Sequence, residues 1–262
     1  MTLWKHEIKM NAKALLIWVT CIGAICFGCL LMFESLEDNM ADMADMYGQM
    51  GAFSTALGLD RLNIGTIEGF YATEIGLMFA IGGAMFAAMT GAAILSKEEE
   101  GHTSEFLNTL PFGRGHIVIA KYLAMTVLIL LFQIIGILWM LLGFAGVGEM
   151  PEMREFMLYH AAQFVMQQEV GSICFLVSAF CKKRQIGMAL GLAILLYLMD
   201  LLCRVLPDLE KLKYITPYYF SNASDIFLTG NIEKGMVGIS IGVTIVSFIG
   251  AILIYKKRDL AA

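Results

Sequence analysis

The sequence predicts an all-α membrane protein with six transmembrane helices. Three observations indicate this class: 58% of the 262 residues are hydrophobic, only 16% are charged, and the mean hydropathy is +0.72. A soluble domain has roughly a quarter charged residues and just under half apolar ones. A spanning helix needs about 20 apolar residues, so a chain of this length has room for six spans and no sizeable soluble domain. We expect one transmembrane domain over residues 1–262.

Six apolar segments are long enough to cross a bilayer. Backbone amides cannot stay unpaired in lipid, so each segment is expected to be a helix. The fourth segment is the least apolar, because it carries a histidine, three glutamines and a glutamate. The predicted spans cover residues 14–33, 70–95, 117–144, 156–180, 186–205 and 236–255.

The residues ahead of the first span have the pattern of a helix lying in the plane of the lipid headgroups. Lys5, Lys9 and Lys13 recur every four residues, beside a stripe that contains Trp4 and Ile8. A basic stripe next to an aromatic and apolar stripe is typical of interfacial helices. We therefore expect a short interfacial helix before the first span; the alternative is a frayed cytosolic leader.

The placement of lysine and arginine predicts that both termini are cytoplasmic. With the N-terminus inside, 12 of the 18 basic residues fall on the inner side of the spans. The first outer loop instead carries seven acidic residues. An even number of spans returns the C-terminus to the inner side, which agrees with six. The expected location is the cell membrane of a bacterium, and no nucleic-acid partner is expected.

The segment between the second and third spans is much longer than a hairpin requires. Residues 103–110 have the pattern of a short helix that stops at Pro111. Phe106, Leu107 and Leu110 share one face of this helix, and an exposed apolar face needs a surface to bury it. The residues alone leave two surfaces open, that of a second protein and that of the membrane.

Polar residues inside the spans are candidate functional residues. A carboxylate at mid-helix costs roughly 2.5–3.5 kcal/mol on insertion scales, so it usually faces a protein interior or a wet cavity. Glu169 in the fourth span is the strongest case, and Gln133 and Gln167 are milder ones. The three either line a substrate path or make hydrogen bonds between helices. Asp200 and Arg204 are four residues apart and are expected to pair.

No catalytic, cofactor-binding or metal-binding residues are predicted. The sequence has no H-E-x-x-H motif, its four histidines are dispersed, and its six cysteines lack the spacing of a zinc site. It also has no G-x-x-x-x-G-K-[ST] motif, the loop that cradles the phosphates of ATP. An ATP-driven process would therefore need a second polypeptide to bind the nucleotide.

The loop between spans two and three resembles the first cytoplasmic loop of ABC type 2 permeases. In that family, glutamates precede the pattern G-T-x-E-x-L-x-x-L-P, and a lysine opens the next span. Here residues 98–111 read EEEGHTSEFLNTLP, and Lys121 supplies the lysine. His102 departs from the pattern, because it is inserted between the glycine and the threonine.

The end of the chain carries a second resemblance to the same family. Residues 255–260 read YKKRDL and look like the family's terminal tyrosine, basic pair and R-D-L signature. Residues 216–220, TPYYF, are a weaker match before the last span. Residues 207–234 contain short apolar pieces broken by Pro207, Pro217 and Gly230, and the family resemblance implies re-entrant helices there, against the alternative of a surface loop.

The resemblance implies the permease subunit of an ATP-driven exporter. Such a subunit moves an amphipathic or hydrophobic cargo, such as a peptide, antibiotic or lipid, out of the cell. ATP and Mg are bound by a separate ATPase, and two permeases work with two ATPases, so a homodimer is expected. The short helix then becomes a coupling helix that docks on the ATPase. The implied coupling residues are Glu98, Glu99, Glu100, Glu105, Phe106, Leu107 and Leu110.

Two other classes of function compete with this interpretation. A passive channel or ion carrier, independent of ATP, would need a filter-like ring of charged or carbonyl-rich residues, and no such motif stands out. An intramembrane enzyme with a serine nucleophile would need a base within a span, and only His160 is placed for that role. The chain is therefore expected to be a transporter subunit and not an enzyme.

Overall fold

A computed structural model describes residues 3–33, 61–104 and 113–258, together with the single positions 35, 51 and 54. Within these ranges the secondary structure is helical and includes no strand. In chain order the elements are α1 (Leu3–Leu31), α2 (Ile67–Ile94), α3 (Lys97–Glu100), α4 (Arg114–Val147), α5 (Met153–Phe180), α6 (Ile186–Val205), a 3-10 helix (Pro207–Tyr214), α7 (Ala223–Thr229) and α8 (Lys234–Lys257).

Six of these helices are long, and they run alternately up and down one bundle. The start of α1 and the residue after α8 lie at the same end, because Glu7 contacts Lys121 and Arg258 contacts Glu99. We call this the proximal end and the opposite one the distal end. Five of the six, α1, α2, α4, α6 and α8, are long and apolar enough to cross a membrane. Helix α5 has 28 residues but is less apolar.

The polar residues of α5 do not face lipid. This helix packs most extensively against α2 and α8, with further contacts to α4 and α7. Its histidine and the glutamines at 163 and 167 are almost completely buried. A polar helix is stable at this position because other helices, and not hydrocarbon, surround it.

The first helix differs from its prediction. Helix α1 runs without a break from Leu3 to Leu31, so no separate interfacial helix precedes the span. At about 1.5 Å per residue its 29 residues are about 44 Å long, which exceeds the roughly 30 Å of the hydrocarbon core. The basic stripe is therefore the proximal extension of the first span. Glu7 fixes this extension to the bundle, because it pairs with lysines from two other elements.

Helices α2 and α5 approach each other closely where both are glycine-rich. A Cβ on Gly91 of α2 would lie only 2.3 Å from the backbone oxygen of Gly171 on α5. Backbone atoms cannot move aside as the end of a flexible side chain can, so only glycine fits at position 91. This contact sets the distance between the two central helices of the bundle.

We expect Gly91→Ala to lower the free energy of unfolding by about 1–3 kcal/mol, because the added methyl group forces the two helices apart. Thermal unfolding of the protein in detergent measures the change. Gly28→Ala in α1 is the matched control, since nothing lies within 4 Å of the position its Cβ would take. Equal melting temperatures for the two variants would contradict the tight α2–α5 contact.

The segment between the 3-10 helix and α7 enters the bundle from the distal end. Gln163 Nε2 donates to the backbone oxygen of Ser221 at 2.8 Å, and Gln163 lies ten residues, about 15 Å, after Met153. Thr216 Oγ1 donates to the backbone oxygen of Leu196 at 2.7 Å, nine residues, about 14 Å, before Val205. The hydrogen bonds to α5 and to α6 thus place this segment at about the same distance from the distal end of the bundle.

Candidate functional site

The family-like loop divides into a described part and a part outside the described residues. Most of the predicted coupling helix, including Glu105, Phe106, Leu107 and Leu110, falls within residues 105–112, which are not described. The described part consists of α3, which follows α2 directly, and the first two turns of α4, residues 114–121. We call these two pieces the loop root, because they carry the loop between them.

Lys121 is the centre of a buried ion-pair cluster in the loop root. Its side chain is fully buried. The ammonium group donates to Glu7 Oε1 at 2.9 Å, to Glu98 Oε1 at 2.6 Å and to the backbone oxygen of Ile94 at 2.7 Å. Lys97 pairs with the second oxygen of Glu7. Two ammonium groups thus balance two carboxylates, so the cluster is neutral although little water reaches it.

Arg258 joins the end of the chain to the loop root. Its Nη2 lies 2.6 Å from both carboxylate oxygens of Glu99, whose side chain is 2% exposed. Its Nη1 donates to the backbone oxygens of Ala179 and Cys181, at 2.8 and 3.1 Å, where α5 ends. Arg114 donates in turn to the backbone oxygen of Arg258 at 2.7 Å. One guanidinium group therefore connects α3, the end of α5 and the residue after α8.

The third glutamate of α3 pairs with the link between α5 and α6. The backbone amide and the Nε of Arg184 donate to Glu100 Oε2 at 2.9 and 2.8 Å. These hydrogen bonds, together with the positive charges of Arg184 and Lys183, hold the pKa of Glu100 below its ordinary value. The Glu100 carboxylate therefore stays ionised. Of the ion pairs made by Glu98, Glu99 and Glu100, the one between Glu100 and Arg184 is the most exposed.

The three consecutive glutamates reach three different parts of the chain. Successive side chains on a helical turn point about 100° apart. Glu98 accordingly faces Lys121 of α4, Glu99 faces Arg258 after α8, and Glu100 faces Arg184 in the α5–α6 link. Their contact with an ATPase stays a prediction. Sequence reasoning missed Glu7 as a partner, although it is the only acidic residue among residues 1–33.

The residue that departs from the family pattern has a distinctive backbone. His102 has a φ of +52°, in the left-handed region, directly after α3 ends at Glu100. Histidine occurs in this region more often than most residues do. The inserted residue is therefore accommodated in the turn that follows α3, and it leaves the ion pairs of the three glutamates intact.

Two of the three proposed path residues lie in a polar stripe at the centre of the bundle. His160 Nδ1 lies 3.2 Å from Gln133 Oε1, and His160 Nε2 lies 3.1 Å from the hydroxyl of Tyr71. Gln167 lies seven residues further along α5 on the same face and packs against Gly83 of α2. Both glutamines are buried between helices of this one chain.

Glu169 lies on a different face of α5. It is 4% exposed and borders a cleft with Ser240 of α8 and with residues 213–217 and Phe220. The structure thus brings Gln133 and Gln167 into one buried region and does not bring Glu169 to them. Two residues along a helix turn the side chain by about 200°, which explains the separation.

The distal end carries the predicted pair of Asp200 and Arg204. Arg204 Nε lies 3.0 Å from Asp200 Oδ1, and Arg204 Nη1 lies 2.6 Å from Asp225 Oδ2 on α7. A third bond runs from Arg204 Nη2 to the backbone oxygen of Tyr219 at 3.0 Å. Arg204 therefore holds the segment that enters the bundle against the end of α6.

The ion pairs and hydrogen bonds of the site join helices to one another, while both amide atoms of the buried Gln167 have no hydrogen-bond partner among the described residues. The described hydrogen bonds of His160 are to the hydroxyl of Tyr71 and the amide of Gln133, and not to a serine. No group of three histidine, cysteine, aspartate or glutamate side chains in the described part is arranged to hold a metal ion. The ion pairs of the loop root connect α3 to α1, α4, the α5–α6 link and the residue after α8.

Comparison with known proteins identifies the family. No curated protein matches the chain at a significant level. The family model described as ABC-2 family transporter protein matches residues 1–260. Members of this family are membrane components of transporters and work with ABC ATPase subunits. Since the match spans nearly the entire sequence, the chain belongs to the ABC-2 family of transporter proteins.

Proposed function

We propose that this chain is the permease subunit of an ATP-driven exporter and that the loop root transmits the work of a separate ATPase to the spans. One observation carries this proposal: the three consecutive glutamates of α3 pair with Lys121 of α4, with Arg258 after α8 and with Arg184 in the α5–α6 link, and two lysines of the root pair with Glu7 of α1. The ATPase binds ATP and Mg, and the loop between Ser104 and Gly113 docks on it. The chain itself performs no hydrolysis.

The ion pairs of the loop root make the loop and the helix ends one mechanical unit. A buried pair that loses one partner leaves an uncompensated charge, so the root resists separation from the helices. When ATP draws the two ATPases together, the docked loop moves with them. The helices joined to the root then tilt as rigid bodies, which is a common form of conformational switching.

The proposed topology has six spans and both termini in the cytoplasm. The alternation of the six long helices supports it, because α5 runs the length of the bundle between α2 and α8. The proximal end is then cytoplasmic and carries the loop root. Residues 215–222 form the tip of a re-entrant segment, supported by hydrogen bonds about 15 Å from the distal ends of α5 and α6.

A second copy of the permease is the proposed partner within the membrane. Gly187 and Gly191 on α6, like Gly238 and Gly242 on α8, have nothing within 4 Å of the positions their Cβ atoms would take. Small residues four apart on open helix faces allow another helix to approach closely. The homodimer would export an amphipathic or hydrophobic cargo, such as a peptide, antibiotic or lipid, from a bacterial cell.

Co-purification tests the proposed function. We expect the tagged permease to isolate with an ABC ATPase from its native host, and the reconstituted complex to hydrolyse ATP faster when cargo is present. The exposed ion pair between Glu100 and Arg184 allows the loop root to be tested with a small perturbation, because Glu100→Gln removes only this interaction. A permease that isolates without an ATPase and passes ion currents without nucleotide would instead be a passive channel.

A further inference from the structure

Glu169 is a buried carboxylate for which the described part of the chain supplies no cation. It is 4% exposed, and no lysine, arginine or histidine of the described residues forms an ion pair with it. It lies eleven residues, about 17 Å, before the proximal end of α5 at Phe180. A carboxylate at this depth is costly in a membrane protein and usually marks a functional site.

The cleft beside Glu169 has the lining of a site for an organic cation. Tyr214 and Phe220 contribute aromatic rings, and Met236 and Ile239 of α8 contribute apolar surface. An aromatic face attracts a cation, and the attraction strengthens where water is excluded. Ser240, which also borders the cleft, offers a hydroxyl group without charge. Acid, aromatic and apolar surfaces therefore meet at one position.

Among the residues that the structure describes, the one basic residue that borders the cleft does not pair with Glu169. Lys213 forms its ion pair with Glu210, on the same 3-10 helix. The Lys213 ammonium group is thus paired outside the cleft, and no described residue forms an ion pair with Glu169. The cleft also opens on the outer surface of the bundle, because Tyr214, Ile215 and Ile239 beside it are exposed.

We propose that Glu169 and the aromatic residues around it bind the cationic group of an amphipathic cargo. The inference rests on the proposed function and narrows its cargo to molecules that combine an organic cation with an apolar body. The cleft is narrow, so entry of the cargo requires residues 213–217 to move away from α8. This segment begins the proposed re-entrant tip, so cargo binding and opening of the distal end involve the same residues.

Direct binding to the purified full-length permease tests the site without an ATPase. The probes are tetraphenylphosphonium, a permanent organic cation, and triphenylphosphine oxide, a neutral analogue. We expect the wild type to prefer the cation, and Glu169→Gln to weaken its binding about tenfold or more while leaving the neutral probe unaffected. Glu169→Asp keeps the charge and is expected to retain the preference. Glu155→Gln, on the same helix beside Arg154, is the matched control.

The outcomes separate this inference from the proposed function. The cation site would be overturned if the wild type bound the two probes with equal affinity. It would also be overturned if Glu169→Gln lost affinity for both probes to the same extent. Thermal melting of each variant shows whether it is folded, and if the glutamine variant is not, the preference of the wild type for the cationic over the neutral probe decides the outcome. Failure to isolate an ATPase would instead remove the proposed function and leave the binding result standing.

Discussion

Lys121→Met is expected to lower the free energy of unfolding by about 3–5 kcal/mol, the cost of breaking a buried ion pair by removing one partner. The substitution leaves Glu98 with no cation and Glu7 with only Lys97, and it removes the donor to the backbone oxygen of Ile94. Methionine fills a volume similar to that of lysine, so the lost stability measures the missing charge and hydrogen bonds more than a change in packing. Chemical or thermal unfolding in detergent measures it.

Two further variants separate the ion-pair explanation from a general loss of stability. In the triple variant Glu7→Gln, Lys121→Met, Glu98→Gln no buried carboxylate of this cluster remains uncompensated, so much of the lost stability is expected to return. Lys9→Met is the matched control, because it removes an exposed lysine from the same helix as Glu7 and none of the ion pairs of the cluster. If the triple variant is no more stable than Lys121→Met, charge is not what makes Lys121 necessary.

The helices of this bundle were predictable because each one requires only a local pattern. The fifth predicted span and α6 cover the same residues, 186–205, since an unbroken apolar segment between polar flanks specifies such a helix. The extension of α1 was not predictable in this way. It depends on Glu7 meeting Lys121, which lies 114 positions further along the chain. No periodicity within residues 1–33 contains that information.

At the candidate site, too, the sequence indicates which residues are important but not which residues they contact. The sequence indicated that the glutamates of residues 98–100 and the basic tail matter together, through their resemblance to one family. It could not show that Glu99 pairs with Arg258, 159 positions away, while its neighbour Glu100 pairs with Arg184. The direction of each side chain depends on where α3 begins. Likewise, the sequence grouped Glu169 with Gln167, and the helical turn separates them.

Arg258→Met is expected to uncouple transport from ATP hydrolysis while the complex still assembles. The substitution removes the guanidinium group that pairs with the buried Glu99 carboxylate and the donor to the backbone oxygens of Ala179 and Cys181. Its cost to stability is about 3 kcal/mol or less, because Arg258 retains some contact with solvent. The functional measurement is the number of cargo molecules exported per ATP hydrolysed by the reconstituted complex.

The geometry of the guanidinium group makes this prediction specific. Arg258→Lys restores a charge but not the planar fork that reaches Glu99 and two backbone oxygens at once, so only part of the export per ATP is expected to return. Lys257→Met, at the exposed neighbouring position, is expected to behave as the wild type. A cycle of Glu99→Gln, Arg258→Met and the double variant isolates the energy of the pair. If Arg258→Met exports as many molecules per ATP as the wild type, the movement of the loop reaches the helices by a route other than the loop root.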